Sequence, residues 1–345
     1  MSNVLKSVIL LCSTVLLFVS CKQKQLTKVE EQFIFNEAPF AQCHASTIVA
    51  LPDGTIQAAW FGGPYEGNDS VAIWSSVYKG NKWTTPVIIA DGVESDSVRY
   101  ACWNPVLFQT SDKILHLYYN LGLNPREWWG MEKVSTDNGQ TWSAAKRLPA
   151  GVLGPIKNKP VQVKNNIIVS PSSVELNENI WRAHIERSTD NGKTWTIIPI
   201  NHIDSFNAIQ PSVLQHKNGQ LQLLCRSKEG VITQSWSKDD GLTWSPMSRT
   251  SVINPNSGID AVTLKDGTHL LVYNPDVPGK DWFNGRDKLY LAQSSDGINW
   301  KDIAVLEDGD KEEYSYPAII QAPNGDAHIT YTYNRKKIKH VVFKY

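Results

Sequence analysis

The chain of 345 residues has no net charge, since 34 Lys and Arg balance 34 Asp and Glu. No basic run is longer than Arg335–Lys337, so the electrostatic footprint of a nucleic-acid binder is missing. Long apolar runs are scarce as well. The stretch Val8 to Val19 is twelve residues, short of what carries a helix across a bilayer. Cysteine is sparse: beyond Cys12 and Cys21 there are Cys43, Cys102 and Cys225. Three is an odd number, which excludes complete internal pairing, although a Cys43–Cys102 bond would use two of them. No spacing of His, Asp and Glu demands a metal, and no cofactor is expected; His44 and His184 would become ligands only if the fold joined them.

The first residues read as an export leader. Lys6 supplies the positive end, the apolar run follows, and Leu-Phe-Val-Ser-Cys resembles a bacterial lipoprotein cleavage box with Cys21 as the lipidated residue. Residues 1–20 are then the signal peptide, 21–30 a polar tether and 31–345 the folded domain. The expected location is outside the cytoplasm, in the periplasm or at the cell surface. Contact with a bacterial membrane, taken as the outer one, would be through the lipid anchor alone.

What the chain does have is thirteen Trp and twelve Tyr. Four of the tryptophans close one recurring segment: STDNGQTW at Trp142, STDNGKTW at Trp195, SKDDGLTW at Trp244 and SSDGINW at Trp300, with a worn copy, KGNKW, at Trp83. In such a segment the Asp accepts backbone N–H groups across a tight turn, the Gly takes positive φ, and the Trp folds back between two strands. The motif is scaffold, so Asp137, Asp190, Asp239 and Asp296 are set aside. A second recurrence marks strand openings at His44 (HASTIVALPDG), Asn104 (NPVLFQ), Lys159 (KPVQV), Gln210 (QPSVLQ), Asp260 (DAVTLKDG) and Tyr316 (YPAIIQAPNG). Openings 50 to 60 residues apart, with several short strands per unit, predict an all-β, six-bladed β-propeller with Asp-box turns. After Tyr316 only 29 residues remain, room for three strands. Glu31–Asn36 is expected to supply the fourth and so remove the free edge.

The first strand of a propeller blade lines the axis, so the six opening residues would ring it at one face. All six are polar or ionisable, which predicts a polar pocket there. Long loops at Gly62–Asp69, Asp91–Trp103, Asn124–Gly130, Gly151–Pro160 and Asp276–Arg286 would surround it. Trp128 and Trp129 suit stacking on a sugar or filling a loop core equally. Lys157 and Lys159 flank a Pro-constrained turn that fits an anion, or else are solvated charges. Arg182, His184 and Glu186 share one strand face and read as an ion-paired surface.

Six blades, repeated Asp boxes and this strand pattern resemble the sialidase superfamily along the whole chain beyond the leader. The resemblance implies an exo-acting glycosidase that removes a terminal acidic sugar, sialic acid or a relative, from a glycan. Arg226 in LLCRS and Arg286 in NGRDKLYLAQSSDG match the second and third arginines that grip the sugar carboxylate. Tyr316 in YSYPAI matches the tyrosine nucleophile, and the loop GGPYEGNDS takes the place of the general acid/base, with Glu66 as its carboxylate and Asp69 in reserve. Two positions depart from the pattern. His44 stands where the first arginine belongs, and Gln210 replaces the carboxylate that would take the tyrosine's proton. Lys159 is then the substitute charge, and His44, Glu312 or Glu313 the substitute base, of which only His44 belongs to the expected ring. The catalytic candidates are Glu66, Tyr316, His44 and Gln210. The substrate-binding candidates are Arg226, Arg286, Asn104, Lys159, Asp260, Asp69 and Trp128.

Two other readings use the same residues. A propeller polysaccharide lyase, or a rhamnosidase-like enzyme on uronate-containing glycans, would use His44, Tyr316 and Arg226 around a uronate. A glycan-binding propeller without catalysis is the third.

Overall fold

Strands that line the axis of a propeller are covered on both faces, and the openings named above are apolar or small just after their first residues for that reason. In the computed structural model, which describes residues 26–202, 206–281 and 283–345, these openings lead six antiparallel sheets. The expected leader and Cys21 lie outside the described residues.

Blade one holds Gln42–Ala50, Ile56–Gly63, Ala72–Lys79 and two short outer strands, Lys82–Trp83 and Val87–Ala90. Blade two holds Ala101–Gln109, Leu115–Gly122, Trp128–Ser135 and Lys146–Arg147, and blade three holds Val161–Gln162, Ile168–Asn177, Ile180–Ser188 and Thr196–Pro199. Blade four is Ala208–Gln215, Leu221–Ser227, Val231–Ser237 and Ser248–Ile253, and blade five is Asp260–Thr263, His269–Tyr273, Lys288–Ser294 and Lys301–Asp308. Each apolar face packs on the next blade. One cluster joins Leu107 and Leu117 of blade two to Ile73 of blade one, and another joins Leu291 of blade five to Ile329 of blade six. The core is therefore a chain of interfaces rather than one interior, which lets a domain of this size stay well packed.

Blade six combines Tyr314–Gln321, Ala327–Tyr333 and Lys337–Lys344 with an N-terminal strand. That strand is Thr27–Phe33, paired from Thr27 opposite Lys344 to Phe33 opposite Lys339. Closure by an N-terminal strand is as expected. It starts earlier than Glu31, however, so residues 27–30 belong to the propeller and not to the tether. Lys339 fixes the junction by donating to both Glu31 and Glu307.

The Asp boxes share one geometry. At Asp137 the carboxylate accepts Thr141 N (2.9 Å) and the Thr141 hydroxyl (2.6 Å), while Ser135 Oγ accepts Gly139 N (2.8 Å). The same bonds recur at Asp190 and Asp239. Cys43, Cys102 and Cys225 are buried free thiols, so the Cys43–Cys102 bond is not formed.

Candidate active site at the propeller axis

Strand register sets the ring at the axis. In blade four Gln215 pairs with Leu221, and Gln210 lies five residues before that last pair. The same count from Ala50, Gln109, Gln162, Thr263 and Gln321 gives Ala45, Asn104, Lys157, Gly258 and Tyr316. The ring is therefore Ala45, Asn104, Lys157, Gln210, Gly258 and Tyr316. The expected ring had His44, Lys159 and Asp260, one residue early in blade one and two residues late in blades three and five. Five of the six have left-handed backbone: Ala45 (φ 55°), Asn104 (40°), Lys157 (71°), Gln210 (53°) and Tyr316 (52°). Register breaks beside them, between His44 and Thr47, Ile209 and Ser212, and Ser315 and Ala318, are bulges that turn these side chains toward the axis. Non-glycine residues there cost about 1 kcal/mol or more each, and such strain gathers at functional sites. Gly258 is the exception in chemistry. A Cβ at Gly258 would come 3.0 Å from Lys157 Cε and 3.2 Å from the Tyr316 ring, so its lack of side chain makes room for both.

Tyr316 is the centre of the hydrogen-bond network. Its hydroxyl accepts from Arg226 Nη1 at 2.8 Å and from Gln210 Nε2 at 3.0 Å. The Gln210 Oε1 in turn accepts from Arg226 Nη1 at 3.3 Å, which fixes the amide with its N–H side toward the phenol. Arg226 Nε donates to Asn256 Oδ1 (2.9 Å), and its guanidinium lies 5.4 Å from the Trp181 ring centre. Arg286, only 2% exposed, donates to Glu313 (3.2 Å) and to the Asn256 carbonyl (3.5 Å). The structure thus brings together Tyr316, Gln210, Arg226 and Arg286 from blades four, five and six.

A third guanidinium was not among the expected site residues. Arg335 sits in the hairpin turn between Ala327–Tyr333 and Lys337–Lys344, where it and Asn334 both have positive φ (53° and 52°). Its carbonyl accepts from Cys43 N (2.8 Å), which places it beside His44. Its Nε donates to Glu313 Oε2 at 2.8 Å, and Nη1 pairs with Glu66. Burial alone would push the Glu313 carboxyl up, but Arg335 and Arg286 hold it below its usual range. Glu313 is therefore a fixed anion that spaces two cations. No sequence motif marks Arg335, because its partners Glu66 and Cys43 are nearly 300 positions away. A three-residue hairpin turn, Asn334–Lys336, without a glycine is the one local hint.

His44 is buried, and its ring centre is 4.2 Å from that of Tyr316. Burial, followed by Arg335, Arg286, Arg226 and Lys157, holds the imidazole well below its ordinary value, so His44 is neutral here. It forms a wall beside Tyr316, its buried Nδ1 has no partner among the described hydrogen bonds, and it holds a proton poorly. Lys157 lies beneath the tyrosine, its Nζ 5.8 Å from the ring centre. Its three donors reach Asn158 Oδ1 (2.9 Å), Ile259 O (2.6 Å) and Pro317 O (2.6 Å). Burial lowers its pKa to about 7 against the partial support of Asp260.

Other expected residues are placed differently. Asp260 is 2% exposed and accepts from Ser212 Oγ (2.8 Å), Ala261 N (2.9 Å), Ile319 N (2.9 Å) and Lys159 Nζ (2.7 Å). Asp260 and Lys159 thus clip the inner strands together, and Asp260 has no acceptor position left for a sugar hydroxyl. Glu66 lies at the edge of the cluster through Arg335, and its loop rests on Trp103, 3.3 Å from where a Gly67 Cβ would be. Asp69 is exposed on the same loop, and Asn104 is 7% exposed on the ring. Trp128 packs edge-on against Trp103, ring centres 6.0 Å apart, as part of the core between blades one and two. Glu186, 0% exposed, accepts Leu153 N (2.7 Å) and Gly154 N (2.8 Å) and so anchors the loop that carries Lys157. Among the described residues no three His, Cys, Asp or Glu side chains group as metal ligands.

The arrangement is a cluster of three guanidiniums and a lysine against two carboxylates, with a phenol at its centre. Fold and cluster together define a six-bladed propeller with a cation-rich axis. A family model described as a BNR repeat-like domain matches residues 54–329, and the chain belongs to that family. A sialidase of Bacteroides fragilis is 25% identical over 227 residues, 57% of this chain and 41% of that protein. The chain spans about half the length of the curated relatives it matches. Among solved structures, a protein of unknown function from Dyadobacter fermentans superposes with a TM-score of 0.76 at 18% identity, covering 92% of this chain and 99% of that one. The NanB sialidase from Streptococcus pneumoniae gives 0.70 at 12% identity over 91% of this chain and 70% of that one.

Proposed function

We propose that this protein is an exo-acting glycosidase of the sialidase-like class that removes a terminal acidic sugar from a glycan. One observation carries the reading. The Tyr316 oxygen is held by two donors, Arg226 and Gln210, inside a set of cations that suits a sugar carboxylate. Arg226, Arg286 and Arg335 clamp the carboxylate, with Arg335 supplying the charge that His44 lacks. Tyr316 lies under the anomeric carbon as nucleophile or cation stabiliser. Glu66 acts as acid/base, and a carboxylate arriving at Arg335 competes with Glu66 for the guanidinium and releases it toward the leaving oxygen. An exported, lipid-anchored location through Cys21 belongs to the same proposal.

The Gln210 amide favours one second reading. No carboxylate contacts the Tyr316 oxygen among the described hydrogen bonds, so uronate elimination by Tyr316 with neutral His44 uses the same atoms without an adjacent acid. The products separate the two. The test is a panel of sialosides, other ulosonates, rhamnosides and uronate glycans, read for reducing ends and for ultraviolet-absorbing unsaturated uronates. The expected result is a released acidic sugar, with Tyr316→Phe slower by at least about 100-fold and still folded. Wild-type turnover in Tyr316→Phe would falsify the site assignment.

A further inference from the structure

Above Gln210 the side of the axial cluster belongs to blade three. Ser173 Oγ accepts from Gln210 N at 3.2 Å, which ties the strand Ile168–Asn177 to the ring. That strand runs toward the mouth, because Ile168 pairs with Gln162 at the far end of the axis and Asn177 pairs with Ile180 at the hairpin. Glu175 is two residues beyond Ser173 on the same face of the sheet. It therefore stands about 7 Å nearer the mouth, where a sugar held on Tyr316 and Arg226 would lie. Trp181 is its cross-strand partner, and the centre of that indole is 5.4 Å from the Arg226 guanidinium and 4.1 Å from Lys228 Nζ.

Glu175 is half-buried, and its carboxylate makes no hydrogen bond or ion pair among the described residues. The other two carboxylates of the cluster are taken, Glu313 by Arg286 and Arg335 and Glu66 by Arg335. The cations around Glu175 are committed as well. Arg226 serves Tyr316, Gln210 and Asn256, Lys228 donates to the Glu178 carbonyl, and Arg126 lies 3.8 Å from the Glu178 carboxylate. Burial pushes the Glu175 carboxyl above its usual value, against the pull of Arg226, Lys228 and Arg126. An accessible carboxylate with open acceptor positions is completed by donors that a ligand brings. It also repels an acidic group at a place where cations alone would welcome one.

We propose that Glu175 is the specificity-determining acceptor of the axial site. It accepts from a hydroxyl or N–H of a sugar that carries one acidic group, and it turns away sugars with a second acidic group beside that donor. The inference rests on the reading of Arg226, Arg286 and Arg335 as a carboxylate clamp. Glu175 then lets a cluster rich in cations choose a monoanionic sugar over a sulfated or phosphorylated one.

The test titrates the protein by calorimetry with N-acetylneuraminic acid, its 2,3-dehydro-2-deoxy analogue, 3-deoxy-manno-octulosonate and glucuronic acid. It continues with forms of the tightest binder that each lack one hydroxyl or N–H donor, or carry one O-sulfate. In the wild type, loss of one particular donor is expected to weaken binding about tenfold, and a sulfate at that position weakens it at least as much. In Glu175→Ala the loss of that donor no longer matters. In Glu175→Gln, which keeps the shape, the parent sugar binds more weakly and the sulfated form about tenfold more tightly. A loosened fold cannot move two ligands in opposite directions. Binding that Arg226→Ala abolishes, with the same response to every donor and sulfate in wild type and both Glu175 variants, overturns the assignment and leaves the carboxylate clamp standing. The wild type alone also decides: sulfated forms that all bind as tightly as their parent overturn the assignment. No saturable binding of any of the four sugars overturns both the assignment and the clamp.

Discussion

Blades two to five are marked at both ends of their strands, and the two marks differ in kind. At the Asp-box end the side chains repeat: Ser, Asp, Gly and Thr recur at Asp137, Asp190 and Asp239 with nearly the same bond lengths. At the axial mouths the backbone repeats and the side chains do not. Ala45, Asn104, Lys157, Gln210 and Tyr316 share a left-handed conformation and little else. A box is complete within eight residues, so each copy must carry the same atoms. A mouth is complete only when six blades meet, so each copy is free to bring a different group. Repetition of residues marks scaffold here, and repetition of conformation with varied residues marks the pocket.

Three experiments would break or sharpen that contrast. The largest effect is expected at a mouth. Arg335→Ala should lower kcat/KM on the true substrate by on the order of 100-fold, mostly through KM, because it removes one of three carboxylate-holding cations. An unchanged KM with a lowered melting temperature would reduce Arg335 to a structural ion pair.

Next in size is a difference in pH response. Lys157 at the axis has a folded pKa of about 7, below its unfolded value, so the unfolded chain binds more protons between about pH 7 and 10. Its contribution to stability therefore rises with pH across that window, and Lys157→Met should flatten the rise in urea unfolding curves. The boxes respond elsewhere. Asp137 and Asp190 are held at about 2, chiefly by their Thr hydroxyls and N–H groups. Their contribution is present above the ordinary Asp value and fades as pH falls from about 4 to about 2. A stability profile with no separation between these windows in wild type and Lys157→Met would contradict the assignment.

The smallest effect is expected at a box. Ser237→Ala removes the hydroxyl that accepts Gly241 N at 3.0 Å and should cost about 1 kcal/mol of stability while leaving kcat/KM unchanged. A kinetic effect of this variant would show the boxes are coupled to the pocket.

The contrast also explains what could be read from the chain alone. The boxes, the blade count and the N-terminal closure are local patterns or simple arithmetic, and all three were legible. Arg226, Arg286, Gln210 and Tyr316, which the fold brings together, each sit in a segment that resembles a family motif. The ring slipped in three blades, and in blade three for a concrete reason. Asn104, Gln210 and Tyr316 each precede Pro, and Lys159-Pro160 imitates that signature two residues past the true position, Lys157. Asn256 and Arg335 were invisible because nothing near them in sequence hints at their partners, and Glu313, three residues before Tyr316, was weighed only as a candidate base for it. Lys157 could be weighed only as an anion site or a solvated charge, since its three acceptors come from Asn158 and two distant blades.

The closing strand Thr27–Phe33 has a consequence for the order of synthesis. Its partner Lys337–Lys344 is made after the strands of the other five blades, so Thr27–Phe33 must wait unpaired while those blades form. His44 and Arg335, on either side of the seam, meet only when that wait ends. A prematurely terminated product would carry good blades and no pocket. The seam therefore ties completion of the axial cluster to the hairpin that carries Arg335.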